Sequence, residues 1–273
     1  VAWLALSGAA HATPPRRIVS LNLCTDQLLL DLAPREKIAG LSWLSSDPNV
    51  SAITHDIAGL PLLKGTAEEV LALDPDLVLA GPYTTGATVD LLRRLGRRVE
   101  TIALAQDLDG VRGTIRAVAA LVGEAARGEQ MIALFERRLA AIERPASAQQ
   151  PTALAYQISG LVSGPDSLLD AVFRHVGLDN MARTYRLGRA GQVALETLVA
   201  QPPDLLVLAQ TPGTYRTVAA DNLRHPVLQR LLAERPHVVL DMPSWLCGTA
   251  RIAEAAVTLA AARDRLAATR IDR

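Results

Sequence analysis

The sequence predicts an α/β protein of two Rossmann-like lobes with mainly parallel sheets, joined by a long interdomain α-helix. Three observations predict it. Short apolar runs of strand length alternate with helix-length segments, the pattern of a parallel sheet covered by helices. A strand-free stretch rich in Ala, Leu, Arg and Glu interrupts that alternation from about Asp107 to Glu143. One segment also occurs twice, once on each side of the interruption.

The elements follow in order. Arg17 to Leu21 reads as a strand, and Cys24-Thr25-Asp26 opens an apolar helix, Gln27 to Leu32. Ile38 to Trp43 is the next strand, closed by the turn formers Ser45 to Asn49. Leu77 to Ala80 reads as a buried strand, Thr88 to Leu95 as a helix and Val99 to Leu104 as a strand. Ile115, Val118, Ala119 and Val122, then Ile132, Phe135 and Leu139, keep helical spacing through the interruption. We read it as one long or kinked helix, weakened at Gly123 and Gly128. Pro145 to Pro151 is the expected linker. Strand Thr152 to Gln157, helix Ser167 to Val176, strand Leu205 to Leu208, helix Leu223 to Ala233, strand Val238 to Leu240 and helix Ala250 to Ala268 then resume the alternation. The expected organisation is a leader remnant at 1–12, a lobe at 13–106, the interdomain helix at 107–144 and a second lobe at 145–273.

The repeat is gap-free: Glu68 to Leu79 aligns with Glu196 to Val207. In each copy an acidic residue opens a short helix, proline stops it, and Asp-Leu leads into a strand. Glu68 and Glu196 thereby occupy equivalent points. Taken alone, each is ordinary compensation of a helix dipole.

The chain has 273 residues, 49% hydrophobic and 21% charged, with 28 basic and 28 acidic side chains. That composition is globular, and its balanced charge offers no field for nucleic acid or an anionic membrane. The apolar start ending in Ala10-His11-Ala12 reads as the rear of a secretory signal, which implies an exported periplasmic or extracellular protein. No G-x-S-x-G, G-x-x-x-x-G-K-[ST], H-E-x-x-H or C-x-x-C motif is present, and the histidines form no i, i+4 pair. These absences favour binding over catalysis, with no cofactor and no metal centre expected.

Aromatic residues make up only 3% of the chain, so their positions are informative. Trp43, Tyr83 and Trp245 follow the carboxyl ends of predicted strands and Tyr156 lies near another, where open parallel sheets bind ligands. Rings there suit a large flat or apolar ligand. Tyr185, Arg186 and Arg189 form a ring-and-cation loop, and Arg251 follows the last strand; such groups suit carboxylate, phosphate or propionate oxygens. Cys24 and Cys247 each follow a strand, one per lobe. Spacing leaves three readings open: a disulfide, contact with a metal or ligand, or inert thiols.

From Arg16-Arg17-Ile18-Val19-Ser20-Leu21, through Glu68 to Val78 and the long helix, to Ser244-Trp245-Leu246-Cys247-Gly248, the chain resembles the periplasmic binding proteins for cobalamin and iron chelates. Leu21-Asn22-Leu23-Cys24-Thr25-Asp26-Gln27 resembles a cobalamin-binding branch. The resemblance implies a monomeric, bilobal capture protein with a rigid interdomain helix and small hinge motion. It implies cobalamin, a related corrinoid or an iron chelate such as a siderophore or haem as cargo, and an inner-membrane ABC permease with its ATPase as partner. It assigns Glu68 and Glu196 to permease docking and Trp245 to the cleft. The acidic and basic residues expected after that tryptophan are here Cys247 and Gly248. Two rival expectations are a thiol-dependent α/β enzyme or redox protein using Cys24 and Cys247, and a sensor of the same fold with an occluded cleft.

Overall fold

The computed structural model describes residues 13–145, 150–208 and 220–271. The expected leader and part of the expected linker, residues 146–149, lie outside the described residues.

The first lobe is a fully parallel sheet built from β1 (Ile18–Ser20), β2 (Ile38–Ser42), β3 (Leu62–Leu63), β4 (Leu77–Ala80) and β5 (Val99–Thr101), in the order β3-β2-β1-β4-β5. Its helices are α1 (Leu23–Leu32), α2 (Ala67–Ala72) and α3 (Gly86–Arg94). Two helices follow, α4 (Leu108–Val122) and α5 (Ala125–Ala140).

The second lobe carries β6 (Thr152–Tyr156), β7 (Leu161–Ser163), α6 (Leu168–Val176), β8 (Asp179–Asn180), β9 (Ala190–Gln192), α7 (Leu195–Ala200), β10 (Leu205–Leu208), α8 (Asp221–Arg224), α9 (Pro226–Glu234), β11 (His237–Val239), α10 (Met242–Trp245) and α11 (Ile252–Ile271). Its sheet runs β11-β10-β6-β7-β9, with β8 beside β6. β6, β8, β10 and β11 are parallel, whereas β7 runs antiparallel to both β6 and β9.

The stretch read as one long or kinked helix is two helices folded back on each other. Gly123 ends α4 in the left-handed conformation, φ 81°, which glycine adopts without a Cβ penalty. The chain then reverses, and Arg112 and Arg116 of α4 meet Glu136 and Glu129 of α5 at 2.5 and 2.6 Å. Gly128 permits the close approach, since a Cβ there would lie 2.5 Å from that of Ala119.

Strand alternation sorts the core into layers. Ile18, Leu77 and Leu79 of the first sheet, and Ala153, Ala155, Leu205 and Val207 of the second, join one continuous cluster with Ile115, Val118, Ile132, Phe135 and Leu139 of the helical pair. The opposite strand faces form two separate clusters, Val19, Val78 and Ala80 in one lobe and Leu154, Tyr156, Leu206 and Leu208 in the other. The lobes therefore share a core through the helices between them.

The repeated segment has a structural cause. Asp76 accepts from the backbone N–H groups of Arg16 and Arg17 at 2.7 and 3.0 Å, fixing the chain as it enters β1. Asp204 accepts from the Thr152 N–H and hydroxyl at 2.8 and 3.0 Å at the start of β6. In each lobe the aspartate before one strand anchors the start of its parallel neighbour. Arg263 closes the far side: it is 3% exposed and donates to the carbonyls of Val176 and Glu143, tying α11 to the ends of α6 and α5.

Candidate ligand-binding cleft

The two sheets present their carboxyl ends to a common joint, and a disulfide marks it. Asn22 caps α1 directly after β1, its side chain accepting from the Cys24 N–H at 3.0 Å. Cys24 therefore sits in the first turn of α1. Cys247 lies just beyond α10, which follows β11. The two sulfurs are bonded, with the Cα atoms 5.1 Å apart. This settles the choice that spacing left open: neither cysteine is free. A thiol-dependent reaction thereby loses its nucleophile.

Two further contacts tighten the joint. Gly248 packs so closely on Ala105 that a Cβ would lie 2.5 Å from the alanine Cβ. Two turns along α1 from Cys24, Asp31 accepts from Arg251 at 3.2 Å. Burial pushes the Asp31 carboxyl up from its ordinary value even though Arg251 and Arg127 pull it down. The cavity left between Asn22, Cys24, Ile102, Ala105 and Gly248 is only about 10 Å³.

Around this joint stand three of the expected rings. Trp43 follows β2 on a short 3-10 turn, Trp43–Ser46, and is 50% exposed. Tyr83 follows β4 and is 83% exposed. Its turn is held by the Gly81 N–H donating to the Thr84 hydroxyl at 3.0 Å and by Gly81 packing on Asn22. Trp245 ends α10 after β11 and is half-buried against the shared core. Thus both lobes contribute indoles, and the first adds a phenol.

Several expected ligand contacts sit differently in the structure. Tyr156 is 1% exposed, because it is in phase with Leu154 on the outer strand face and belongs to that core. Burial raises its hydroxyl above the ordinary value. Tyr185, Arg186 and Arg189 lie at the wrong end of the sheet. Their loop enters β9 at Ala190, which pairs with Ser163, whereas the carboxyl end of β6 pairs with Val162 through Tyr156. Tyr185 accordingly donates to the Gln201 carbonyl, at the end of α7 away from Glu196. Arg251 pairs with Asp31 of the first lobe and keeps partial exposure. Of the cysteines expected to contact ligand, Cys247 is buried, while Cys24 keeps partial exposure.

Glu68 and Glu196 both occupy the second position of their helices, α2 and α7, and both are exposed. α2 leaves the carboxyl end of β3 and α7 leaves that of β9, so both glutamates lie on the carboxyl-end side of their sheets. Thr66 caps α2 reciprocally with Glu69, leaving the Glu68 carboxylate outside the cap. Among the described residues, no group of three or more His, Cys, Asp or Glu could hold a metal ion, and no helix is long and apolar enough to cross a membrane.

This arrangement of two α/β lobes over a joined cleft defines a bilobal binding protein. Residues 18–245 match the periplasmic binding protein family, and the chain belongs to it. A cobalamin-binding protein of Halobacterium salinarum is 29% identical over 198 residues, 71% of this chain and 53% of that protein. The chain thus spans about half the length of the curated relatives it matches. The apo form of a periplasmic heme-binding protein from Roseiflexus sp. RS-1 superimposes with a TM-score of 0.74 at 23% identity, covering 92% of this chain and 99% of that one. The periplasmic vitamin B12 binding protein of Vibrio cholerae gives a TM-score of 0.66 at 17% identity, covering 93% and 98%. At those identities the two structures establish the fold.

Proposed function

We propose that this chain is an exported capture protein that binds cobalamin or a related corrinoid in the interlobe cleft and delivers it to an inner-membrane ABC permease with its ATPase. It acts in the periplasm as a monomer. One observation carries the reading: an aromatic-poor chain places Trp43 and Tyr83 of one lobe and Trp245 of the other at the carboxyl ends of its sheets. A corrin ring is broad, flat and apolar on its faces, which is the shape such walls recognise. The curated relatives named for cobalamin favour this cargo. Haem or a ferric siderophore is the second reading, favoured by the heme-binding relative of the same fold. Glu68 and Glu196, at equivalent points of the two lobes, are the residues that dock to cationic side chains of the permease.

The test is to purify the protein from the envelope of its native host and record the absorbance and mass of what accompanies it. A corrinoid spectrum supports the first reading and a Soret band the second. A preparation that carries no chelate and takes none up from a panel of corrinoids, haem and ferric siderophores would refute both.

A further inference from the structure

We propose that Asp26 is the positioning residue for Trp43, its buried carboxylate holding the turn that presents the indole, so that the presentation responds to pH. The inference rests on the reading that Trp43 walls the cleft, although the position of the indole can be measured without cargo.

Asp26 lies in α1 with no exposed surface. Its two oxygens lie 3.3 and 3.2 Å from the Ser42 N–H, and one accepts from the Ser45 hydroxyl at 2.7 Å. Ser42 and Ser45 bracket Trp43. Ser42 also caps the turn, accepting from the Leu44 N–H at 3.3 Å. The indole itself is half exposed. The carboxylate is the anchor, through charge-assisted bonds that are about twice as strong as neutral ones.

The anchor titrates. Burial pushes the Asp26 carboxyl up to about 7, against the pull of its bonds with Ser20, Ser45 and Ser42. The elements packed against α1 are β1, β2, the Trp43 turn and α4. Of these only α4 carries charge, and its Asp109, Arg112 and Arg116 pair with one another or with Glu136 and Glu129. On α1 itself Asp31 pairs with Arg251. Protonation turns one carboxyl oxygen into a donor and leaves a single neutral acceptor, so the bonds from the Ser42 N–H and the Ser45 hydroxyl compete for it and lose their charge assistance. The turn then loosens while the buried charge is removed.

The experiment makes Trp43 the sole tryptophan by the changes Trp3→Phe and Trp245→Phe, and follows its emission and acrylamide quenching from pH 5.5 to 8.5 without cargo. With Asp26 present we expect quenching to change about twofold with a midpoint near 7. Asp26→Asn should give a flat profile resembling the acid form. Ser45→Ala, which removes a bond favouring the charged form, should move the midpoint upward and serves if the asparagine variant folds poorly. A flat profile with Asp26 intact, an unchanged titration in Asp26→Asn, or an unmoved midpoint in Ser45→Ala would overturn the proposal. If cyanocobalamin, haemin and a ferric siderophore all fail to bind, the cargo reading falls, while the titration of the indole still decides this one.

Discussion

Cys24 and Cys247 bond the first turn of the first lobe's leading helix to the chain that enters the last helix of the second, at the point where both sheets end. The bond closes a loop with a sequence separation of 223 residues. It ties the segment that follows β1 in the first lobe to the one that follows β11 in the second.

Removing this bond by Cys24→Ser with Cys247→Ser should destabilise the protein by about 3–5 kcal/mol, as expected for closure of a long loop. Denaturant unfolding of the oxidised wild type and the double variant checks it. Reductant should lower the midpoint of the wild type and leave that of the variant unchanged.

Asp26 gives stability a pH dependence of definite sign. Its carboxyl is raised from 3.8 to about 7 in the folded protein, so the folded state binds the proton more tightly. Its contribution is fully present below about 3.8 and is lost as pH rises through about 7. The melting temperature of Asp26→Asn, taken relative to wild type at each pH, should therefore rise between pH 5 and pH 8. Loosening of the Trp43 turn runs the other way, toward acid, which separates local anchoring from global stability.

Arg263 is a buried cation whose donors satisfy carbonyls at the ends of two helices. Arg263→Met keeps the apolar stem and leaves those carbonyls unpartnered, at a cost of about 1–3 kcal/mol for each one that water cannot reach. Thermal unfolding should show the loss. Cargo affinity should not change, because Arg263 binds the α5–α6–α11 side of the molecule.

Reversing charge at both Glu68→Arg and Glu196→Arg should abolish stimulation of the permease ATPase and leave cargo affinity within about twofold, the ordinary range for exposed substitutions. Neither carboxylate supports its own helix cap. Transport surviving the double change with binding intact would remove the docking assignment.

The parallel αβ alternation was legible because buried strands such as Leu77–Ala80 and Leu205–Leu208 are continuous apolar runs between turn formers. The two glutamates were legible as a pair because the repeat includes the aspartates that anchor β1 and β6. Short strands were not: β3 and β8 have two residues each and β7 and β9 three, too few to display a period. That omission moved the Tyr185–Arg189 loop to the cleft, since without β7 and β9 its end of the sheet was undefined. Tyr156 was misplaced by position along its strand, when the side of the strand decides. The anchoring role of Asp26 was hidden because a polar residue in a first helical turn reads as a cap, and only tertiary contact brings Ser42 and Ser45 to it.

The most direct measurement is calorimetric titration of the ligand-free protein with cyanocobalamin, haemin and a ferric siderophore, in wild type and in Trp43→Ala and Trp245→Ala. The account predicts one-to-one binding of one of these chelates, weakened at least tenfold by each substitution. No binding of any chelate, or binding indifferent to both tryptophans, would contradict it.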